Sequence, residues 1–193
     1  MLESLWIKSL SIQMILWYNC SIVKNSTNKN SFGAGNQQER LEIESWIVGF
    51  TDGEGCFSVS FIKNKTTKSG WQLFPEFVIT QGAKSLPVLK VIKNYFQCGK
   101  IFVNKRYDNH NECLYRYCVR SIKELHETII PFFEKRRLKT YKANDFRIFA
   151  RIVKHMSQMI HLHPEGMKKI ALMIEQMNRK KKSRFLESSE TKR

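Results

Sequence analysis

Apolar residues in this chain change period along the sequence, and that change limits the folds it can adopt. In residues 56–62, Phe57, Val59 and Phe61 recur at every second position, as in a strand with one buried face. The predicted strands are residues 56–62, Phe74–Gln81, Lys100–Arg106 and Cys113–Arg120. Segments with helical spacing surround the two strand pairs, so the predicted order is α-β-β-α-β-β-α, followed by helices. Two hairpins predict an α+β fold, in which a four-stranded antiparallel sheet carries helices on one face and leaves the other open.

Capping residues give the predicted helix boundaries. Ser45 is expected to cap a helix from Trp46 to about Gly53, and Ser85 to cap the helix after the second strand. Ser121 begins a capping box, and Pro131 should end or kink the helix that follows near Phe132. The last two predicted helices are Thr140 to about Met159 and Glu165 to Asn178.

Composition along the chain predicts three regions. Residues 1–40 are interpreted as an N-terminal extension and flexible linker, because Asn, Ser and Gly dominate residues 19–40. Residues 41–178 form the predicted domain, and residues 179–193 form a charged tail that cannot build a core. No stretch of about 18 uninterrupted apolar residues occurs, so no membrane partner is expected.

Charge and cysteine content narrow the classes of function. Lys and Arg number 33 against 17 Asp and Glu, which gives a net charge of +16. Such an excess favours a polyanionic partner, with nucleic acid first among them. The Cys residues number five and form no CxxC pair, which argues against a disulfide framework and a structural zinc site. His155, His161 and His163 also lack metal-ligand spacing, so a histidine metal site is not expected.

Residues 46–57 carry the chemistry that the sequence predicts. Gly49 and Gly53 are four residues apart and therefore share one helix face, where a second helix could approach to backbone contact. Glu54 follows at the C-terminal end of that helix, where the helix dipole disfavours a carboxylate. A hard cation such as Mg²⁺ would compensate, bound by Glu54 and the last free carbonyls. The alternative is an ordinary helix–strand turn with a solvated acid, which is the commoner meaning of an isolated Asp-Gly-Glu-Gly.

The nine residues Ile47–Gly55 resemble the LAGLIDADG motif of homing endonucleases, with both glycines and both acids in register. The departures from the motif are Val48, Thr51, Gly53 and Glu54, and the last keeps the carboxylate. The resemblance extends over roughly residues 45–178, whose predicted order of elements is the order this family implies. It is closest to the single-motif branch, the intron-encoded enzymes of algal organelles.

This resemblance implies further site residues. Gln81 corresponds to a glutamine that ends the family's second strand beside the active site, and Lys139 to an active-site lysine. Lys142 is an alternative for that lysine, and the basic run around Lys139 could instead be a solvated face or a general phosphate patch. A basic residue that the branch has four positions after the glutamine is replaced here by Ser85. The implied cofactor is Mg²⁺, or Mn²⁺ in its place, held by Glu54 and the Gly53 carbonyl.

One motif supplies a single Glu54, which is too little to cut two strands, so a homodimer is expected. The Gly49, Gly53 and Phe50 faces of two protomers would pack about a two-fold axis, and the target would be roughly palindromic. The open sheet face would enter the major groove. The residues of that face expected to contact DNA are Ser58, Ser60, Asn104, Arg106, Arg116 and Arg120. Lys63, Lys65 and Lys68 are expected in the loop that connects the first two strands, where they would contact mostly phosphate.

The predicted function is therefore a site-specific DNA endonuclease that makes double-strand breaks at a long intron-homing site by metal-dependent hydrolysis. Two alternatives stay open: an RNA maturase that assists splicing of its own intron RNA, and a non-cutting DNA-binding module on the same scaffold. Residues with AT-rich codons are abundant, which together with the resemblance predicts an organelle, with the chloroplast favoured over the mitochondrion.

Overall fold

A computed structural model describes residues 34–104, 113–177 and 185–186 of the 193-residue chain. The chain divides into two units between Ile43 and Glu44. The first unit contributes the beginning of a helix, in which the Gln38 amide donates a hydrogen bond of 3.3 Å to the Glu42 carboxylate. All the strands and the later helices belong to the second unit.

The elements follow the predicted order. The helices are α1 (Ala34–Glu54), α2 (Leu86–Phe96), α3 (Ile122–Glu124), α4 (Ile130–Lys135), α5 (Lys142–Ser157) and α6 (Pro164–Glu175). The strands are β1 (Gly55–Lys63), β2 (Trp71–Gly82), β3 (Lys100–Asn104) and β4 (Leu114–Val119). A π-helical segment, Leu125–Ile129, joins α3 to α4, and short 3₁₀ turns cover Ala83–Ser85 and Ile160–Leu162.

The strands form one antiparallel sheet in the order β1-β2-β4-β3. In its register Phe57 pairs with Phe77 and Phe77 with Val119, so these apolar side chains share one face. We call this the inner face, because its residues are buried, and the opposite one the outer face. The predicted α+β fold with a four-stranded antiparallel sheet is confirmed.

Aromatic rings fill the space between the inner face and the helices. The Phe57 ring is stacked on Phe77 with centroids 4.9 Å apart, and it contacts Phe133 of α4 and Phe146 and Phe149 of α5 within 5.5 Å. All of these residues are buried. Their burial fixes α4 and α5 against β1, and this brings the segment between the two helices to the end of α1.

The expected start of the first helix is wrong. The helix begins at Ala34, so residues 34–40 are not a flexible linker and Ser45 lies inside the helix, not at its cap. The physical reason is that residues 37–42 are mostly good helix formers, such as Gln, Glu, Arg and Leu, which outweigh the Asn and Gly residues just before them. The other domain boundaries stay a prediction, and all but two residues of the expected tail lie outside the described residues.

Of the two expected effects of Pro131, ending or kinking its helix, the first does not occur. It stands in the first turn of α4, which continues to Lys135, and the π-helical segment immediately precedes it. The first turn of a helix tolerates proline, because the N–H that proline lacks would have no partner within the helix there. The π-helical change of hydrogen-bond register before Pro131 makes room for the proline ring. Ser121 does cap α3 as expected, because its hydroxyl accepts from the Glu124 N–H, whereas Ser85 makes no side-chain cap. Within the described residues, no helix is both long and apolar enough to cross a membrane.

Candidate active site

The junction between α1 and β1 requires glycine at position 55. A Cβ atom there would lie 2.6 Å from the Thr51 Cγ2 atom and 2.8 Å from the Thr51 carbonyl oxygen, closer than any real side chain allows. The chain therefore turns from helix to strand within one residue, and Glu54, the last residue of α1, stays exposed together with Gly53. The sequence thus places a carboxylate at the solvent-facing tip of the helix.

Asp52 fixes the segment between α4 and α5 to this tip. Its carboxylate accepts hydrogen bonds from the Lys139 N–H at 2.6 Å, the Thr140 hydroxyl at 2.7 Å and the Thr140 N–H at 3.3 Å. Burial alone would raise the pKa of Asp52, but these hydrogen bonds and the Lys142 charge outweigh it, so that the pKa falls below its ordinary value. Lys139 is therefore positioned through its backbone, and its side chain is exposed.

The Lys142 side chain lies at the carbonyl end of α1. Its Nζ donates to the Thr51 carbonyl at 2.9 Å and to the Gly53 carbonyl at 3.5 Å. Burial lowers the pKa of Lys142, and the nearby Cys56 and the acidic residues Asp52, Glu54 and Asp145 offset part of that shift. An ammonium in this position neutralises the helix dipole next to Glu54. Of the two candidate lysines, Lys142 brings its charge to the helix tip.

Gln81 lies at the same end of the sheet. Gly55 pairs with Ile79, and Gln81 follows two residues later on the same face of β2, partly exposed. The register therefore places this amide near the point where α1 enters the sheet, as the resemblance implies for a residue beside the site.

The glycine face of α1 is open. Among the described residues, nothing lies within 4 Å of a Cβ atom built on Gly49 or Gly53, and both glycines are exposed. Phe50 is partly buried and its ring is stacked on Trp46, with centroids 5.3 Å apart. The three residues expected at a dimer interface thus leave a flat strip on which a second helix could lie.

The donor set at the helix tip suits a hard cation. The described part of the chain contains no group of three or more His, Cys, Asp or Glu side chains that could hold a metal ion. Glu54 and the Gly53 carbonyl are nevertheless hard oxygen donors, and the same carbonyl already attracts the Lys142 ammonium. These residues fit a divalent cation as a partial ligand set, which phosphate oxygens or water would complete.

The outer face of the sheet carries most of the residues expected to contact DNA. By strand alternation it includes Ser58, Ser60, Asn104 and Arg116, with Arg120 just after β4. Arg106 lies outside the described residues. Lys65 and Lys68 occupy the loop between β1 and β2, as expected.

The expected position of Lys63 is wrong. Lys63 is the last residue of β1, not a loop residue, and its Nζ lies 5.8 Å from the centroid of the Trp71 ring. β1 continues one residue further than its apolar pattern indicates, so Lys63 belongs to the strand. Strand alternation then places Lys63 on the face opposite to Ser58 and Ser60.

Two of the three acids that are buried in the described part of the chain accept hydrogen bonds that the sequence analysis did not predict. Glu76 on the outer face accepts hydrogen bonds from the Arg116 Nη2 at 2.8 Å and the Arg120 Nε at 2.5 Å. Glu44 in α1 accepts from the Tyr95 hydroxyl at 2.5 Å and from the Arg136 Nε at 2.7 Å. Glu76 gave one signal in the sequence, an acid within an otherwise apolar strand. Glu44 gave none, since its partners are 51 and 92 residues away.

Comparison with known proteins gives relatives of one kind. A model of the LAGLIDADG endonuclease family matches residues 47–153. A probable intron-encoded endonuclease of Neurospora crassa is 37% identical over 126 residues, which cover 65% of this chain and 27% of that protein. The chain thus spans about a quarter of the length of that relative.

Solved structures agree with the sequence matches. The homing endonuclease I-TnaI is 38% identical, with a TM-score of 0.67, over 78% of this chain and 97% of the other. I-LtrWI, solved bound to its target DNA, is 31% identical, with a TM-score of 0.65, over 80% of this chain and 48% of the other. The family match, the sheet topology and the glycine-flanked acid at the tip of α1 coincide on the same residues. The chain therefore belongs to the LAGLIDADG endonuclease family.

Proposed function

We propose that this chain is a site-specific DNA endonuclease that makes double-strand breaks by hydrolysing phosphodiester bonds. The observation that carries the proposal is the helix tip, where the exposed Glu54 carboxylate, the Thr51 and Gly53 carbonyls and the Lys142 ammonium come together. A relative named as a homing endonuclease and another solved on its target DNA support the same activity. The strongly basic composition supports a DNA partner.

Each residue of the site has a role in this proposal. Glu54 and the Gly53 carbonyl would hold a divalent cation, Mg²⁺ or Mn²⁺, which when bound would polarise the phosphate and lower the pKa of water. Lys139 and Lys142 would stabilise the negative charge that develops on the phosphoryl oxygens. Gln81 would orient the attacking water. Asp52 would keep Lys139 in place by binding its backbone N–H.

The active form that we propose is a homodimer. One chain presents one Glu54, and two cuts need two such sites. The open strip of Gly49, Gly53 and Phe50 would let two α1 helices approach closely enough to bring both Glu54 carboxylates to one groove. The symmetry of such a dimer favours a near-palindromic target. This assignment keeps the chain in the single-motif branch.

The outer face of the sheet would lie in the major groove, with Ser58, Ser60, Asn104, Arg116 and Arg120 toward the bases. Lys65 and Lys68, in the loop between β1 and β2, would contact phosphates. The intron-encoded name of the Neurospora relative supports an intron origin, and we propose an organelle, chloroplast or mitochondrion, as the location.

A cleavage assay tests the activity. The full chain is incubated with a DNA copy of its intronless host gene, with and without Mg²⁺. The wild-type protein should cut both strands at one site, and Glu54→Gln should cut at least a thousandfold more slowly while binding the same DNA. Glu165→Gln is the matched control, because Glu165 is an exposed acid at the start of α6 and its loss changes the net charge equally. Undiminished cutting by Glu54→Gln would contradict the role of this carboxylate.

DNA-binding and RNA-splicing measurements beside the cleavage assay separate the alternative functions. Specific binding without cleavage by the wild-type protein would indicate a non-cutting module, and splicing of the host intron RNA without cleavage would indicate a maturase. For the dimer, sedimentation should give twice the chain mass, and Gly49→Val should give a monomer that binds DNA but does not make double-strand breaks. An active monomer would exclude the symmetric arrangement.

A further inference from the structure

Glu76 is an unusual residue for a surface that must attract DNA. It lies on β2 in the middle of the outer face, and its residue is only 8% exposed. One carboxylate oxygen accepts from the Arg116 Nη2 at 2.8 Å and the other from the Arg120 Nε at 2.5 Å. The acid neutralises one of two positive charges, so the cluster still carries a net positive charge toward the ligand.

Arg120 is held from a second direction by aromatic rings. Its Cζ atom lies 5.0 Å from the centroid of the Phe74 ring and 5.2 Å from that of Phe102. These distances are those of cation–π contacts, which fix the plane of the guanidinium. Phe102 is itself 41% exposed, so this contact lies at the surface of the outer face and not in the core.

The two arginines differ in the donors that they leave for a ligand. Glu76 engages the Nε of Arg120, and within the described ranges neither terminal amino group of Arg120 makes a hydrogen bond. The Arg120 side chain is 39% exposed, so this two-pronged end can reach a ligand. Arg116 instead donates one Nη2 hydrogen to Glu76, so its terminal end is partly engaged. Of the two arginines, Arg120 presents both terminal amino groups, and this fork matches the O6 and N7 acceptors of guanine.

The arrangement exists before any ligand binds. A carboxylate this deeply buried needs both arginines, because an unpaired buried charge is costly. The Arg120 side chain has therefore already lost much of its rotamer freedom, which reduces the entropic cost of contacting a base. A phosphate contact would gain little from such fixing, since phosphates accept from many directions. Fixed geometry favours the reading of one base.

We propose that Arg120 reads a guanine in the major groove and that Glu76 is the positioning residue that orients it, with Phe74 and Phe102 fixing its plane. The inference rests on the proposed DNA-binding function and deepens it. The competing explanation is that the Glu76 cluster only fastens β2 to β4. That explanation predicts a change in stability without a change at any single position of the target.

A binding-site selection distinguishes base reading by Arg120 from a purely structural role of Glu76. The protein selects its sites from a library of randomised DNA duplexes in Mg²⁺-free buffer. The wild-type protein should enrich a motif with guanine at one position of each half-site. Glu76→Gln and Arg120→Lys should each lower the preference for guanine over adenine at that position about tenfold. Preferences at the other positions, and affinity for mixed-sequence DNA, should stay within twofold. Glu165→Gln, with the same charge change as Glu76→Gln, should select the wild-type motif.

Phe102→Leu keeps the test decisive if Glu76→Gln does not fold, because the Phe102 ring is substantially exposed and its removal leaves the core intact. This variant should lose severalfold of the guanine preference at the same position. If the guanine preference survives in folded Glu76→Gln and in Phe102→Leu, the role of Glu76 and Phe102 is overturned, while the proposed endonuclease function still stands. A loss spread evenly over all positions would also overturn it. A wild-type protein that enriches no sequence would contradict the proposed site-specific function itself.

Discussion

Glu44 and Glu76 are buried acids on opposite sides of the sheet, and both accept hydrogen bonds from arginine side chains. Glu44 is 2% exposed on the helix side and accepts hydrogen bonds from Tyr95 and Arg136. Glu76 is 8% exposed on the outer face and accepts from Arg116 and Arg120. Both clusters also place an arginine on a phenylalanine ring, since Arg136 lies 5.0 Å from the Phe132 centroid.

The difference lies in what each cluster connects. Glu44 joins α1 to Tyr95 of α2 and to Arg136, which follows α4, so it holds three parts of the helical layer together. Glu76 joins only neighbouring strands that the sheet already pairs. The arginines of the two clusters are similarly exposed, 33% and 39% beside Glu76 and 30% for Arg136, so the connected elements distinguish the clusters. The comparison teaches that a buried ion pair stabilises the fold on one side of this sheet and prepares a binding surface on the other.

The largest effect is expected for Glu44→Gln. Removal of the negative charge of Glu44, which is 2% exposed, leaves the Arg136 charge without its partner, and because the Arg136 side chain is 30% exposed the free energy of unfolding should fall by about 2 kcal/mol. Urea denaturation followed by circular dichroism measures it. Tyr95→Phe, which removes one hydrogen bond and keeps the charges, should cost only about 1 kcal/mol. Equal losses in the two variants would show that the ion pair adds nothing.

A smaller effect on stability is expected for Glu76→Gln. Its arginines can turn to water, and solvent screens the pair, so the loss in free energy of unfolding should be about 1 kcal/mol. The same denaturation experiment measures it beside Glu44→Gln. A loss as large as that of Glu44→Gln would erase the distinction between the two sides of the sheet.

Asp52 is expected to make the free energy of unfolding depend on pH in the acidic range. Its folded-state pKa lies below the ordinary value of 3.8, so its contribution is fully present above that pH and is lost as the pH falls through the folded-state value. Asp52→Asn should therefore lower the free energy of unfolding by about 1 kcal/mol at neutral pH, because water screens this partly exposed group. The difference from wild type should shrink in acid below pH 3.8. If the difference in unfolding free energy between wild type and Asp52→Asn stays constant with pH, the expected acid dependence is contradicted.

The smallest effect is expected for Thr51→Val, and it has the opposite direction. Thr51 is fully buried, and in the part of the chain that the structure describes its hydroxyl has no hydrogen-bond partner. Valine has nearly the same shape, so removal of the hydroxyl should raise the free energy of unfolding by about 0.5 kcal/mol. A thermal melt would show an increase in Tm. A decrease would mean that the hydroxyl is satisfied, for instance by water.

Local patterns predicted most of the fold. The period of two in β1 and β2 set both the strands and their inner face, because alternation along a strand needs only neighbouring residues. The motif likewise placed Glu54 at the end of α1, since glycine at position 55 permits the abrupt turn. The start of α1 was missed because a window rich in Asn, Ser and Gly hid the helix formers at its end.

The site was predicted less completely, because its parts come from distant segments. Lys139 was chosen over Lys142 from the resemblance, yet the Lys142 ammonium is the one that reaches the carbonyls of α1. Arg120 was placed on the outer face correctly, while its partners Glu76, Phe74 and Phe102 gave no pairing signal. Ion pairs depend on strand register and helix packing, which single-residue patterns do not specify.

The amino-acid sequence by itself determined the order of elements, the two faces of the sheet and the acid at the tip of α1, because each depends on residues a few positions apart. Only the tertiary structure decided which lysine caps the helix, which residue fixes Arg120 and how Asp52 binds the segment after α4. Those contacts join residues 44 to 91 positions apart. They form only when the burial of the aromatic core brings the helices onto the sheet.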